Sequence, residues 1–412
     1  MSLVQKTADR DRLTLDYGTD MTFADLMYAN EEYDLIVAGC GFAGTIVARE
    51  KAKQGDRVLL LERRGHIAGN MYDETDENGI LIQRYGPHTF HTKDQKIADY
   101  IKTLWDWEPY ILRVRTEVKG KLTPSPFNTD TIFSYYPKEK ADAILDALRK
   151  TYPGRKSVTI VELLSSDVPL IREYAQFLFE EDYRPYTAKQ WGIAPEDLDL
   201  SVLKRVPVRL DDTDAYFDDP CQVLPKGGYT KMFSSLLSDE NITVVLNCDA
   251  LNFLSVSEDG QLLWCGRDVS IPVLWTGPLD ELLKNRYGKL PYRSIFFDFK
   301  TIPEDSYQET QGVAYPKAEG YTRITEFKKI PYQDVPGVTT IAVEYPADYG
   351  TEKGKEPYYP ILTDESAELY QKYCSCLEHT KNLYLCGRLA EFKYYNMDQV
   401  IVRALETARQ IP

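Results

Sequence analysis

The stretch DLIVAGCGFAGTIVAREKAKQGDRVLLLE, residues 34–62, decides the fold. It opens on an apolar run, passes through glycines at 39, 41 and 44, and continues with helical apolar spacing. It closes on a second apolar run, VLLLE. Strand, glycine turn, helix and strand make a βαβ unit. Gly39 permits the tight turn, Gly41 lets backbone N–H groups approach a pyrophosphate, and Gly44 lets the helix pack close to the strand. The helix N-terminus, at Phe42 and Ala43, offers unpaired donors and a partial positive charge to phosphate. Glu62 ends the second strand, where an acceptor for ribose hydroxyls belongs. An acid there disfavours NADP and leaves FAD and NAD open. The continuation RRGHIAGN, residues 63–70, brings Arg63 and Asn70 among small residues able to cross the phosphates again. That continuation is typical of flavoprotein dinucleotide domains.

Outward from this unit, residues 1–30 are polar and mixed in charge, with a short helix expected around Phe23, Leu26 and Met27. Residues 93–200 read mainly as helix, in segments such as KEKADAILDALRK and SVTIVELLSSDVPLIREYAQFLFEEDY. From Val206 the text turns strand-rich, and the end returns to an αβα pattern. The expected fold is therefore α/β: a Rossmann-like FAD-binding domain assembled from discontinuous segments, with an inserted helical domain and an antiparallel sheet domain. The boundaries implied are 31–100, 221–280 and 378–412 for FAD binding, and 101–200 for the helices. The sheet domain takes 201–220 and 281–377, with a mobile lid near 203–218. Residues 1–30 form an N-terminal extension.

Composition excludes several classes. The chain of 412 residues carries 49 basic and 64 acidic residues, a formal charge of −15, which argues against a nucleic-acid or anionic-membrane surface. An anionic ligand needs a local basic site. Seven scattered cysteines do not form a disulfide framework, and with four histidines no metal site is expected. No run approaches a membrane span and no signal peptide opens the chain, so a cytoplasmic protein is expected. Thirty tyrosines are enough to line a groove for a polar ligand as well as to fill half-buried packing positions.

Further motifs follow in order: Tyr85-Gly-Pro-His-Thr-Phe-His-Thr92, Pro126-Phe-Asn128, Tyr186-Thr-Ala-Lys-Gln-Trp-Gly192, Arg205-Val-Pro-Val-Arg209 and Leu224-Pro-Lys-Gly-Gly-Tyr-Thr230. Tyr321-Thr-Arg323, Glu344-Tyr-Pro346, Glu356-Pro-Tyr-Tyr-Pro360 and Gly387-Arg-Leu-Ala-Glu-Phe-Lys-Tyr-Tyr395 complete the series. With the glycine unit, this series resembles the UDP-galactopyranose mutase family from Tyr33 to nearly the C-terminus.

The resemblance implies an isomerase that interconverts UDP-galactopyranose and UDP-galactofuranose with no net redox change, supplying a furanose donor for cell-surface glycans. Reduced FAD acts as the covalent catalyst, so an external reductant is a partner, and a homodimer is compatible with the pattern. Arg209 and Arg323 match the two arginines that clamp the substrate diphosphate; Tyr186, Tyr359 and Tyr394 match tyrosines that reach it. Trp191 lines the groove at the lid and Thr187 contacts the nucleotide. Glu344 lies close to the sugar. His88 lies by the flavin, where an unperturbed imidazole exchanges a proton near neutral pH. The same resemblance assigns Val244, Gly387, Arg388, Asn396 and Met397 to the cofactor, with Asn396 capping the helix that begins at Met397.

Four departures bear on the substrate. Cys221 stands where the family has a diphosphate-contacting tyrosine, and Asn396 where an aspartate is common. The segment around Leu112 lacks the usual T-N-S-P, and the loop VAYPKAEGYTR is shorter and lacks an asparagine. They leave open a mutase for a related nucleotide sugar such as dTDP-fucopyranose, a flavin oxidoreductase sharing only the fold, or a silent nucleotide-sugar binder.

Overall fold

The structure is a computed structural model, described here for residues 23–191 and 206–412. Its organising element is a parallel five-stranded sheet ordered Ile242–Val245, Val58–Leu61, Leu35–Ala38, Val273–Trp275 and Leu383–Leu385. The strands come from both ends of the chain. The two central strands Val58–Leu61 and Leu35–Ala38 are unbroken, fully buried apolar runs because helices and loops cover both faces of the sheet. Alternation sorts the side chains: Leu35, Val37, Leu60 and Val244 join one core with the helices Phe42–Ala52 and Met397–Gln410. Ile36, Leu59, Leu61, Val245 and Trp275 join the opposite core with Phe253, Trp264 and Tyr373.

A second sheet of seven strands runs Tyr359–Pro360, Tyr292–Ile302, Thr339–Asp348, Arg323–Glu326, Gly312–Ala314, Val114–Val118 and Lys121–Ser125. It is antiparallel except where Gly312–Ala314 meets Val114–Val118 in parallel. Its long central pair, Tyr292–Ile302 with Thr339–Asp348, fixes the register that places Arg323 opposite Glu344 on the next strand.

The helical reading of 93–200 fails at 107–125, where the structure has strands. The last two form a hairpin over a two-residue turn, with φ of 51° at Lys119 and 77° at Gly120. Positive φ at both turn residues matches the twist of the flanking strands. Helices Thr129–Tyr135, Lys138–Thr151, Ile160–Leu164 and Pro169–Leu178 then pack around Ile144, Leu148, Ile171, Tyr174 and Leu178. A π-helical turn, Phe179–Tyr183, leads into the helix Arg184–Trp191. Pro185 explains it: proline has no N–H to donate one turn back, and its ring crowds the carbonyl there.

Near the N-terminus the expected short helix is present as Phe23–Met27 and Ala29–Glu32; the carbonyl of buried Leu26 accepts from Trp264 Nε1 at 2.8 Å. Residues 1–22 and 192–205 lie outside the described residues, so part of the expected lid does too. No helix among the described residues is long and apolar enough to cross a membrane.

Candidate active site

The βαβ unit opens onto a cleft of about 1160 Å³, part of it open to solvent, at the C-terminal edge of the parallel sheet. Gly39 has φ of +107°, and a Cβ there would sit 2.0 Å from Thr276 Oγ1. At Gly44 a Cβ would lie 1.9 Å from the Gly39 carbonyl oxygen, so only glycine lets the helix approach. Glu62 is buried; its two carboxylate oxygens accept from the Cys40 N–H at 2.9 Å and the Arg64 N–H at 3.0 Å. That holds the carboxylate rigidly at the strand end.

Of the sequence-assigned cofactor residues, Gly39, Gly41, Phe42, Ala43, Glu62, Arg63, Asn70, His88, Gly387, Arg388 and Met397 all line this cleft. Gly44 supports it from behind. Asn396 stands at the N-cap of Met397–Gln410, where its N–H donates to Gln399 Oε1 at 2.8 Å. Val244 does not line the cleft. Alternation turns it into the core beside Leu60, and the chain reaches the cleft only at Cys248, Asp249 and Ala250. Arg64, beside Arg63 in the same segment, also lines the cleft, and Thr276, Glu281 and Tyr358, which were given no role from the sequence, reach it from separate segments. The basic pair is tied to acids: Arg63 bonds Glu281 at 3.4 Å and Glu356 at 3.3 Å, and Arg64 bonds Glu62 at 3.4 Å while also donating to the Asn70 amide oxygen at 3.1 Å.

His88 is held by its backbone N–H on Gln83 Oε1 and by Nδ1 on the Gly86 carbonyl at 2.8 Å. A carbonyl only accepts, so Nδ1 bears the hydrogen and Nε2 is the acceptor. Burial, with the charges of Arg388 and Arg323 nearby, pushes the imidazole down to about 4. This corrects the expectation of an unperturbed imidazole: His88 is neutral at pH 7.

Arg388 joins the cleft to a tyrosine-lined groove. Its guanidinium donates to the Tyr395 carbonyl at 2.6 Å and the Tyr358 carbonyl at 2.9 Å, and lies 4.3 Å from the Tyr359 ring centre. Tyr359 and Tyr394 stack with centres 4.8 Å apart. Across the groove Arg323 makes two parallel bonds to Glu344, at 2.8 and 2.9 Å, and Glu344 also accepts from Thr325 at 3.0 Å. The Glu344 carboxylate holds the guanidinium firmly protonated against the opposing effect of burial. Its third nitrogen, Nη1, has no partner among the described residues. Tyr186 and Tyr216 both feel this charge, and burial raises both phenols, so each remains a donor at neutral pH.

Tyr216, on the loop after Arg209, was assigned no role from the sequence. Lys189, quoted only within its motif, ties the groove together. Its Nζ donates to the carbonyls of Tyr315 at 2.8 Å, Ala318 at 2.6 Å and Tyr321 at 2.7 Å. The helix bearing Tyr186 and Thr187 is thereby fastened to the segment leading into Arg323. Trp191 ends that helix, and its side chain lies outside the described residues.

Arg209 is engaged within its own loop. It is buried, pairs with Asp218, and donates to the Ala215 carbonyl at 2.9 Å. It thereby shapes the loop that presents Tyr216. His91 secures the same loop, with Nδ1 2.5 Å from Asp219 and its ring stacked 3.6 Å from Phe217.

Residues 182–394 match the family model described as UDP-galactopyranose mutase, and residues 37–104 match that of an NAD(P)-binding Rossmann-like domain. Over 391 residues the chain is 33% identical to the UDP-galactopyranose mutase of Mycoplasma pneumoniae, covering 93% of this chain and 98% of that one. The chain belongs to the UDP-galactopyranose mutase family. Within that family's range it is also 31% identical over 378 residues to the dTDP-fucopyranose mutase of Escherichia coli, covering 91% of this chain and 97% of that one. A crystal structure of reduced UDP-galactopyranose mutase shares the fold, with a TM-score of 0.68 at 17% identity over 92% of this chain and 95% of that one. As a member of the family, the chain is an isomerase by class, with its Rossmann-like cleft opening beside the tyrosine groove.

Proposed function

We propose that this chain interconverts UDP-galactopyranose and UDP-galactofuranose, with reduced FAD held in the glycine cleft. The observation that carries the reading is Arg388, which lines the cofactor cleft and stacks against Tyr359 of the groove. A group bound in one cavity therefore faces a ligand bound in the other. The cleft suits a dinucleotide: a glycine turn, a helix N-terminus and a buried acid at the second strand's end meet at its floor. When bound and reduced, the flavin supplies a nucleophile for the anomeric carbon, which splits one hard exchange into easier steps.

The protein's own residues hold and orient the sugar nucleotide. Arg323, fixed by Glu344, offers Nη1 to a phosphate oxygen. Tyr186, Tyr216, Tyr359 and Tyr394 contribute phenol donors to the departing diphosphate. His88 keeps its proton on Nδ1 and presents Nε2 as an acceptor beside the cofactor. Arg209 reaches a phosphate only by exchanging Asp218 for it, so diphosphate binding and a rearrangement of residues 211–218 are coupled. An external reductant keeps the flavin active, and the protein works in the cytoplasm, in keeping with free cysteines at all seven positions.

Dithionite-reduced protein is incubated with UDP-galactofuranose and the products separated by chromatography. UDP-galactopyranose is the expected product. No conversion of it, with turnover of dTDP-fucofuranose instead, would move the substrate to the second nucleotide sugar; no conversion of either would defeat the reading.

A further inference from the structure

Three consecutive acids occupy the π-helical turn, and two are accounted for. Glu180 pairs with Arg184 at 3.0 Å, and Glu181 pairs with Lys119 at 3.5 Å and Lys317 at 2.5 Å. Asp182 turns elsewhere. It has no cationic partner among the described residues, and its one hydrogen-bond donor among them is the hydroxyl of buried Thr116, at 2.6 Å. The groups around it are phenols: Tyr183 and Tyr186 on its own helix, Tyr216 on the loop, and Tyr135 on a neighbouring helix. Desolvation pushes its carboxyl up to about 6.

The position of Tyr186 gives this carboxylate a direction. Tyr186 follows Asp182 by one helical turn, so the two share a face. The sheet fixes the spacing of the two charges: Thr116, which bonds Asp182, pairs with Ala314, and Ala314 pairs with Arg323 on the next strand, so carboxylate and guanidinium stand two strands apart in one row, both within electrostatic reach of Tyr186 and Tyr216. The groove therefore has a cation at one end and a lone carboxylate at the other, with two tyrosines between. A diphosphate is favoured at the first end and repelled from the second. A ligand that spans both must carry an anion at one end and a neutral hydrogen-bond donor at the other. A nucleoside diphosphate does so: its ribose has hydroxyls, and a pyrimidine-dione base has an imide N–H.

Resting on the mutase reading, we propose that Asp182 is a specificity-determining residue that accepts a hydrogen bond from the nucleoside of the sugar nucleotide, with Thr116 orienting it. The bond is charge-assisted and replaces water lost from a carboxylate that has no cation to compensate it.

The test is calorimetric titration of the full, FAD-loaded chain with UDP, 2′-deoxy-UDP, N3-methyl-UDP and inorganic pyrophosphate. Asp182→Asn is expected to weaken UDP on the order of tenfold or more, the range of a hydrogen bond to a charged group. Pyrophosphate, which needs only the Arg323 end, should bind wild type and variant alike. One UDP analogue should bind wild type as weakly as UDP binds the variant: the deoxy form if a ribose hydroxyl is the donor, the methylated form if the imide is. Thr116→Val, which keeps the carboxylate, should weaken UDP in the same direction by less, and guards against misfolding of the first variant. Unchanged UDP binding in Asp182→Asn, equal loss of pyrophosphate, or wild-type binding indifferent to both analogues would each overturn the proposal. Failure of wild type to bind UDP at all would instead bring down the mutase reading on which it rests.

Discussion

The glycine cleft and the tyrosine groove meet at Arg388, yet they are built by opposite means. The floor of the cleft is largely backbone from one continuous stretch, a turn at Gly39, a helix start at Phe42 and a strand end at Glu62, while later segments supply its walls. The groove is made of side chains from at least five separated segments, and each needs a distant partner. Arg323 is held by Glu344, Arg388 by two carbonyls, and the Tyr186 helix by Lys189. A site made of local geometry fails when one atom is added. A site made of long-range pairs fails when one partner is removed, and it can be retuned for a new ligand without disturbing its neighbour.

The largest effect should come from adding atoms to the cleft. Gly44→Val pushes a side chain into the Gly39 carbonyl, so the protein is expected to purify without flavin colour and to lose about 3 kcal/mol by overpacking, read by urea denaturation. Next is removal of a partner in the groove. Arg323→Met leaves Glu344 buried without its cation, which should cost about 3 kcal/mol. It should also reduce kcat/KM on the order of 10²- to 10³-fold while flavin content stays normal. The double variant Arg323→Met, Glu344→Met should regain most of the stability and none of the activity. If Gly44→Val kept its flavin, or Arg323→Met lost it, the two regions would not be independent.

These expectations follow how much each region reveals in the sequence. The residues lining the cleft were largely legible because a glycine's task is set by its immediate neighbours. Val244 and Val245 both turn into core, one on each face of the sheet, so this strand lies behind the cleft wall formed by Cys248, Asp249 and Ala250. In the groove, Arg323, Glu344 and the tyrosines were recognisable as types, but not their pairings. Nothing near Arg209 in the chain says that Asp218 will capture it, and Lys189 looks like any surface lysine until three carbonyls converge on it. The hairpin at 114–125 was hidden by helical text on both sides, although Lys119-Gly120 is a turn signal.

A smaller effect lies at the border between the regions. The imidazole of His88 is depressed below its unfolded value, so its contribution to stability is full above about 6.5 and is lost as pH falls toward about 4. The fall in Tm between pH 6.5 and 4 should therefore be shallower in His88→Gln than in wild type; parallel curves would show that burial of His88 does not couple to protonation. The smallest effect concerns the latch on Arg209. Asp218 is 69% exposed, and an ion pair with so exposed a partner is worth up to about 1 kcal/mol. Asp218→Asn should thus tighten UDP binding by up to about fivefold, read by titration. Weaker binding would mean that Asp218 orders the loop for the ligand and does not compete with it.

The most direct measurement follows one sample through a redox cycle. Protein with UDP-galactofuranose is assayed oxidised, after dithionite, after reoxidation in air, and after a second reduction. Interconversion should switch on, off and on again with the flavin spectrum, with no net consumption of reductant by the sugar. Equal turnover in the oxidised and reduced states would contradict a reaction carried by the reduced cofactor, as would reductant consumed in step with product.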